Sequence, residues 1–377
     1  MSIKIRNIIF LSCFILVIGV PIIDWQIGIS AKLFPSVENR VLTKASSIDI
    51  TKPEKFVKSF DNYYKDNFGL RNPLYIIYSK IKFHLFNISP LNDKVIVGKD
   101  GWLFLGNRFG KVIDETLGID TLNDQELKRI TNNINKNNFW LEQKGIKYYV
   151  AIAPNKHSIY KEHLPDYLNI KPNNTKLEQL KKHLKREIDF EIIDLSEKIN
   201  KYKNVKRLYH KTGTHWNDYG AFLAYQDLIG KLKKDFSSIK IRNITSYKID
   251  THFNHQEDLS KLMEINIKEE SILLSAKFES NCQLAEKSLN VPNNFKRKPK
   301  DYEIRYRKSE ENKKLKVLIF RDSFCTSMIQ FIKESFYETV FIWITPFDRS
   351  VIELEKPDIV ITEVVERNID FLMKRNY

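Results

Sequence analysis

Lys314-Leu-Lys-Val-Leu-Ile-Phe-Arg-Asp-Ser-Phe324 is the stretch on which the fold turns. Its apolar run shows no polar alternation, so it reads as a strand buried on both faces, the type found in parallel sheets. The run closes at Phe320, and a helix is expected to open near Ser323. A serine at such a strand-to-helix turn presents its hydroxyl where helix-terminal amides face it. Serine also caps helices for structural reasons alone, so the turn by itself assigns no chemistry.

The same pattern continues in both directions. Lys147 to Pro154 reads as a buried strand, about 174–187 as a helix, Phe190 to Leu195 as a strand and Asp218 to Leu232 as a helix. Beyond the opening stretch, Val340 to Ile344 and Asp358 to Glu363 are further strands. Apolar strands alternating with helices predict an α/β fold, a parallel sheet covered by helices on both faces. Residues from about 236 to 314 are polar and irregular, with strand-like pieces around Ser271 to Ser275, and read as an insertion. Nearer the start, Asn92 to Gly106 holds two apolar runs around Lys99-Asp-Gly101, a hairpin signal. Leu122 to Lys144 has the look of a helix. Glu54 to Phe86 places Phe56, Phe60 and Tyr64, then Leu74, Ile77 and Ile81, at helical spacing; Gly69 and Pro73 between the sets argue for two helices.

Lys4 and Arg6 precede the apolar run Ile8 to Ile23, which Asp24 closes. A positive flank before such a run marks an export signal. No small-x-small cleavage pattern follows cleanly, so an uncleaved anchor is favoured, with residues 25–377 outside the cytoplasm. The organisation expected is an anchor at 1–24, a linker at 25–53 bounded by Pro35 and Pro53, and one domain at 54–377 carrying the 236–314 insertion.

The net charge is +15, from 62 Lys and Arg against 47 Asp and Glu. Such a surplus favours an anionic partner, and export argues that it is not nucleic acid. Cys13, Cys282 and Cys325 fit no zinc or iron–sulfur spacing and are expected to be free thiols. His252-Phe-Asn-His255 has the wrong spacing for a two-histidine helical zinc motif. No metal and no cofactor are expected.

Three segments end strands or open helices with reactive side chains. The first holds Ser323. The second, Gly213-Thr-His-Trp-Asn-Asp-Tyr-Gly220, sets His215 among small and polar neighbours before a helix that Asn217 or Asp218 caps. The third, Ala151-Ile-Ala-Pro-Asn-Lys156, brings Asn155 and Lys156 to a strand end, where amide and ammonium donors suit a substrate or an oxyanion.

Together these segments resemble the SGNH-hydrolase-like domain of the alginate O-acetylation family of bacterial exopolysaccharide acetyltransferases. The matching pieces are Val97 to Phe104, Ala153-Pro-Asn-Lys156 with Ile159-Tyr160 and Leu164-Pro165, Thr214-His-Trp216 with Gly220-Ala221, Phe320 to Phe324, and Pro357 to Arg367. They follow the family's order over about residues 55–375. The resemblance implies a flavodoxin-like sheet whose nucleophile comes late in the chain. It implies Ser323 as nucleophile and His215 as base, with Arg367 matching a family arginine near the site. It implies acetyl transfer to hydroxyls of a polysaccharide, for which the charge surplus favours an anionic one, fed by a multi-span membrane acyltransferase. The chain would then be a single-pass protein of the inner membrane with its domain in the periplasm or outside the cell. One departure stands out. The family's aspartate two residues before the histidine is Gly213 here, and three before, where the wider SGNH pattern puts it, stands Thr212. Either another group supplies the acid, or a Ser–His dyad works alone, or the domain binds glycan without catalysis in a polysaccharide assembly complex. An acetylesterase, with water as acceptor, would use the same residues.

Overall fold

The computed structural model describes residues 2–35, 42–45, 53–168, 175–293, 295, 297–309, 315–343 and 347–374, Asn254 by its backbone alone. The chain forms two compact units, residues 1–92 with 258–267, and residues 93–257 with 268–377. They divide after Asn92 rather than at residue 53, since the two helices that follow Pro53 belong with the N-terminal helix.

In the first unit, helix α1 runs Ile3–Ile27, capped by the Ser2 hydroxyl and closed by Gly28 at φ 70. Its 25 residues reach about 37 Å, more than the ~30 Å of a bilayer's hydrocarbon core. Among the described residues it is the one helix long and apolar enough to cross a membrane. The Asp24 carboxylate accepts the amides of Ser30 at 2.9 Å and Leu70 at 2.8 Å, which fixes the polar end of α1. Trp25 packs on Tyr63 and Tyr64. Two helices follow as expected, α2 (Pro53–Asn67) and α3 (Arg71–Phe86). At Gly69, between them, a Cβ would stand 1.9 Å from the Pro21 carbonyl oxygen, so only glycine fits. Within the stretch read as a linker, Ile29–Leu33 is a short helix; residues 36–41 and 46–52 lie outside the described residues.

The second unit opens with the expected hairpin, β1 (Val95–Val97) antiparallel to β2 (Leu103–Leu105). Asp100 (φ 53) and Gly101 (φ 76) both take the left-handed conformation such a turn demands. Among the described residues its main sheet has seven strands, ordered β4 (Ile193–Asp194), β3 (Lys147–Ala153), β11 (Ile359–Val365), β9 (Lys316–Phe320), β10 (Glu338–Ile342), β8 (Glu303–Lys308) and β7 (Cys282–Leu284). The first five are parallel; β8 pairs antiparallel with β10, and β7 pairs antiparallel with β8. Alternate residues serve opposite cores. Tyr149, Ala151, Val317, Ile319, Phe341 and Ile361 face the core that takes α6 (Asp218–Asp235) and α7 (Cys325–Ile332). Tyr148, Val150, Leu318, Val340 and Val360 face the core of α4 (Asp124–Glu142), α5 (Lys176–Glu187) and α8 (Arg349–Glu355). Burial on both faces is why these strands show no alternation in sequence.

The 236–314 stretch is more ordered than its composition suggests. Besides β7 and β8 it holds β5 (Tyr247–His255) paired with β6 (Glu269–Ala276). On β8 the buried Glu303 and Arg305 replace the apolar residues of the other strands. The Arg305 guanidinium bonds Glu303 at 3.0 Å and Glu338 at 2.7 Å, and binds Glu355 through both amino groups. Burial would raise Glu355, but Arg305, Lys316 and Ser288 together hold it down to about 2, against an ordinary 4.5. Arg305→Met should therefore cost about 3–5 kcal/mol in urea unfolding, because three carboxylates lose their shared cation. The depressed Glu355 contributes stability in full above pH 4.5, and that share is lost as pH falls towards 2; Arg305→Met should weaken this acid dependence, leaving the part that Lys316 and Ser288 sustain.

Candidate active site

Three adjacent strands of the parallel set, β3, β11 and β9, end at one rim of the sheet, where ligands of open α/β sheets sit. After them come Asn155 and Lys156, Glu366 and Arg367, and Ser323. The direction in which successive strands are added also reverses here: β3 leads outward to β4 and β9 leads the other way to β10, with β11 between.

The turn that carries Ser323 is held by its neighbours. Asp322 accepts the Phe324 amide at 2.8 Å through Oδ1 and the Val365 amide at 2.8 Å through Oδ2, tying the end of β9 to the end of β11. The Asp322 amide donates to Glu363 Oε2 at 3.0 Å. Glu363 is wholly buried, and burial together with the nearby Asp322 charge raises its carboxyl well above the ordinary value. Arg321, buried, lies 4.2 Å over the Trp343 ring and donates to Thr326. Ser323 itself is half-buried, and among the described residues its amide hydrogen meets no acceptor.

His215 reaches this turn from 108 positions away: its Nε2 stands 2.9 Å from Ser323 Oγ. Its ring also packs against Phe324, with centroids 4.9 Å apart. The next residue locks the approach, because Trp216 Nε1 donates to the Phe324 carbonyl at 3.1 Å. Asn217 caps α6 by accepting the Gly220 amide, so the capping expected of Asn217 or Asp218 falls to Asn217. The loop before His215 is clamped on both sides. Buried Lys156 donates to the carbonyls of His210 (3.0 Å), Lys211 (3.1 Å) and Gly213. Buried Glu269 accepts the amides of Lys211 and Thr212 and the Thr212 hydroxyl.

Of the five residues singled out in sequence, the geometry thus brings Ser323 and His215 into direct contact. Arg367 lies beside them, its guanidinium 5.3 Å over the Phe324 ring. The two others are placed differently from the expectation that they hold substrate or an oxyanion. Lys156 is 2% exposed, and its ammonium is committed to the histidine loop. Asn155 is 1% exposed; its side-chain amide donates to Glu115 Oε2 at 3.1 Å, and its oxygen accepts Arg367 at 3.1 Å. Both support the site from beneath. Burial, which sequence spacing does not report, is the reason. Glu269 was not anticipated, since it lies in the stretch read as irregular.

The chain's residues 95–284, half of its length, match the family model described as the SGNH hydrolase-like domain of acetyltransferase AlgX. This span holds Asn155, Lys156, Gly213 and His215, while Ser323 and Arg367 lie beyond it. Two proteins named probable alginate O-acetylase AlgJ are 25% identical, from Pseudomonas syringae pv. tomato over 174 residues and from Pseudomonas fluorescens over 177. Each match covers 46% of this chain and 42% of the relative, so the chain matches less than half the length of these proteins. Among solved structures, Bacillus cereus PatB1 superposes with a TM-score of 0.55 at 19% identity, over 75% of this chain and 100% of that one, a likeness of fold.

Proposed function

Because the chain belongs to the family of SGNH hydrolase-like domains typified by acetyltransferase AlgX, we propose that it moves acetyl groups onto hydroxyls of an exported polysaccharide through an ester on Ser323. The observation that carries this reading is the 2.9 Å contact between His215 Nε2 and Ser323 Oγ at the rim of the sheet. His215 takes the Ser323 proton as Oγ attacks the acetyl carbonyl of a donor ester, and the donor's oxygen leaves with that proton. A sugar hydroxyl then attacks the acetyl-serine. His215 removes the sugar's proton, and Ser323 Oγ departs and recovers it. Negative charge on the acetyl oxygen faces the Ser323 amide, with the Arg367 guanidinium nearby.

The relatives' names and the overall charge favour a polyanionic acceptor. The AlgJ relatives are named for alginate, a polyuronate, and the +15 net charge here would gather such a chain. Helix α1 would tether the catalytic unit at the cell's inner membrane, on its outer side, where a multi-span acyltransferase could hand over acetyl groups. An acetylesterase would use the same residues with water as acceptor, and a silent glycan-binding protein would use neither.

The full chain in detergent, given an aryl acetate and oligouronates, separates these readings. The expected result is slow acetate release that falls when oligouronate is added, with acetylated sugar and an acetyl adduct on Ser323 detected by mass spectrometry. Fast acetate release indifferent to sugar would mean an esterase; no adduct on Ser323 would mean a binding protein.

A further inference from the structure

We propose that Glu257 supplies the carboxylate that orients His215, taking the place of the acid that Gly213 lacks; the proposal rests on the serine–histidine reading above. The family's aspartate falls at position 213. A Cβ built on Gly213 would stand 2.7 Å from Glu257 Oε2, 2.9 Å from its Cβ and 3.0 Å from its Cγ. The Glu257 side chain therefore lies along the space a residue-213 side chain would fill. Its Oε2 stands about as far from that position as an aspartate's own oxygens stand from their Cβ. A carboxylate oxygen thus stands next to the position from which the family pattern would project one, delivered from another part of the chain.

Nothing in the backbone requires glycine here. Gly213 is absent from the residues in the left-handed region, so an L-residue would be unstrained. Glu257 itself excludes one. The loop has little freedom to make room, because Lys156 holds the Gly213 carbonyl and Glu269 holds the Thr212 amide and hydroxyl. Gly213 and Glu257 thus form a matched pair, each making sense of the other.

Glu257 is also held in place. Its side chain is 14% exposed, and Oε1 lies 2.6 Å from His255 Nε2 and 3.3 Å from His210 Nδ1. Burial holds the His210 imidazole down to about 4, so at neutral pH it brings no positive charge to offset the carboxylate. The His210 amide donates to the His215 carbonyl at 3.1 Å, so Glu257's neighbour is tied to the residue it would orient. Chemically the need is specific. Nε2 of His215 faces Ser323, so Nε2 must be the unprotonated nitrogen and Nδ1 must carry the hydrogen. A carboxylate near Nδ1 fixes that tautomer and steadies the imidazolium formed when serine gives up its proton.

Glu257 is accordingly a positioning residue, and a transplant distinguishes this from a merely structural role. The test uses the full chain in detergent and acyl-serine formation from p-nitrophenyl acetate. Glu257→Gln, which keeps shape and loses charge, should lower kcat roughly 10²–10⁴-fold with KM little changed, the scale seen when a triad carboxylate is lost. Glu257→Ala should fall as far. Adding Gly213→Asp to Glu257→Ala, where the space is now open, should recover about tenfold or more. Equal rates in Glu257→Ala and the double variant, both folded by circular dichroism, would overturn the proposal. So would a Glu257→Gln rate within twofold of the parent while Ser323→Ala is dead. Acyl transfer that survives Ser323→Ala would instead strike the serine reading on which this one rests.

Discussion

Ser323→Ala leaves a folded protein whose acetyl transfer drops by about 10⁴-fold or more, to the level that binding alone sustains. The size follows from the mechanism: without Oγ there is no ester, and the reaction must find a direct route from donor to sugar. The retained fold follows from what holds the turn. The bonds that shape it run from Asp322 to the amides of Phe324 and Val365 and from Glu363 to the amide of Asp322. Ser323 contributes its hydrogen bond to His215, whose loss costs about 1 kcal/mol. Unfolding in urea should accordingly shift little while turnover disappears. Transfer to oligouronate at more than a tenth of the parent rate, in protein freed of parent enzyme, would remove Ser323 from the reaction.

Much of this site is legible before any coordinates. The parallel strands announce themselves because both their faces are buried, so β3, β9 and β11 are apolar without alternation. Ser323 and His215 are legible because each stands beside a helix start, the places where an α/β sheet presents reactive groups. Strand β8 was hidden for the opposite reason. Its buried face carries Glu303 and Arg305, an ion cluster that looks like exposed surface when only residue types are seen. Asn155 and Lys156 were legible as residues near the site but not in their role, since donors committed to buried carbonyls and carboxylates look the same in sequence as donors that await a ligand. Glu257 lay beyond reach altogether. A carboxylate whose importance comes from filling the space over Gly213 has no local pattern, and only the fold brings the two together.

His215→Ala should cost nearly as much as loss of the serine, and the way the two losses combine tests the pairing more sharply than either alone. Groups that act as a unit are strongly non-additive: once one is gone, the other has little left to do. Removing the imidazole leaves Ser323 Oγ without a base, and a serine hydroxyl at neutral pH is a poor nucleophile. A fall of about 10³–10⁶-fold is expected in acyl-serine formation. The variant with both changes should be no slower than Ser323→Ala. If His215 served only to pack against Phe324, the two losses would multiply, and a His215→Gln variant that fills part of the same space would recover much of the rate. The mass of the protein after reaction with p-nitrophenyl acetate gives a second readout, independent of turnover. The parent should carry one acetyl on Ser323, and His215→Ala should acquire it far more slowly at the same protein concentration. An acetyl adduct that forms at the parent rate without the imidazole would separate the two residues, however close their side chains stand.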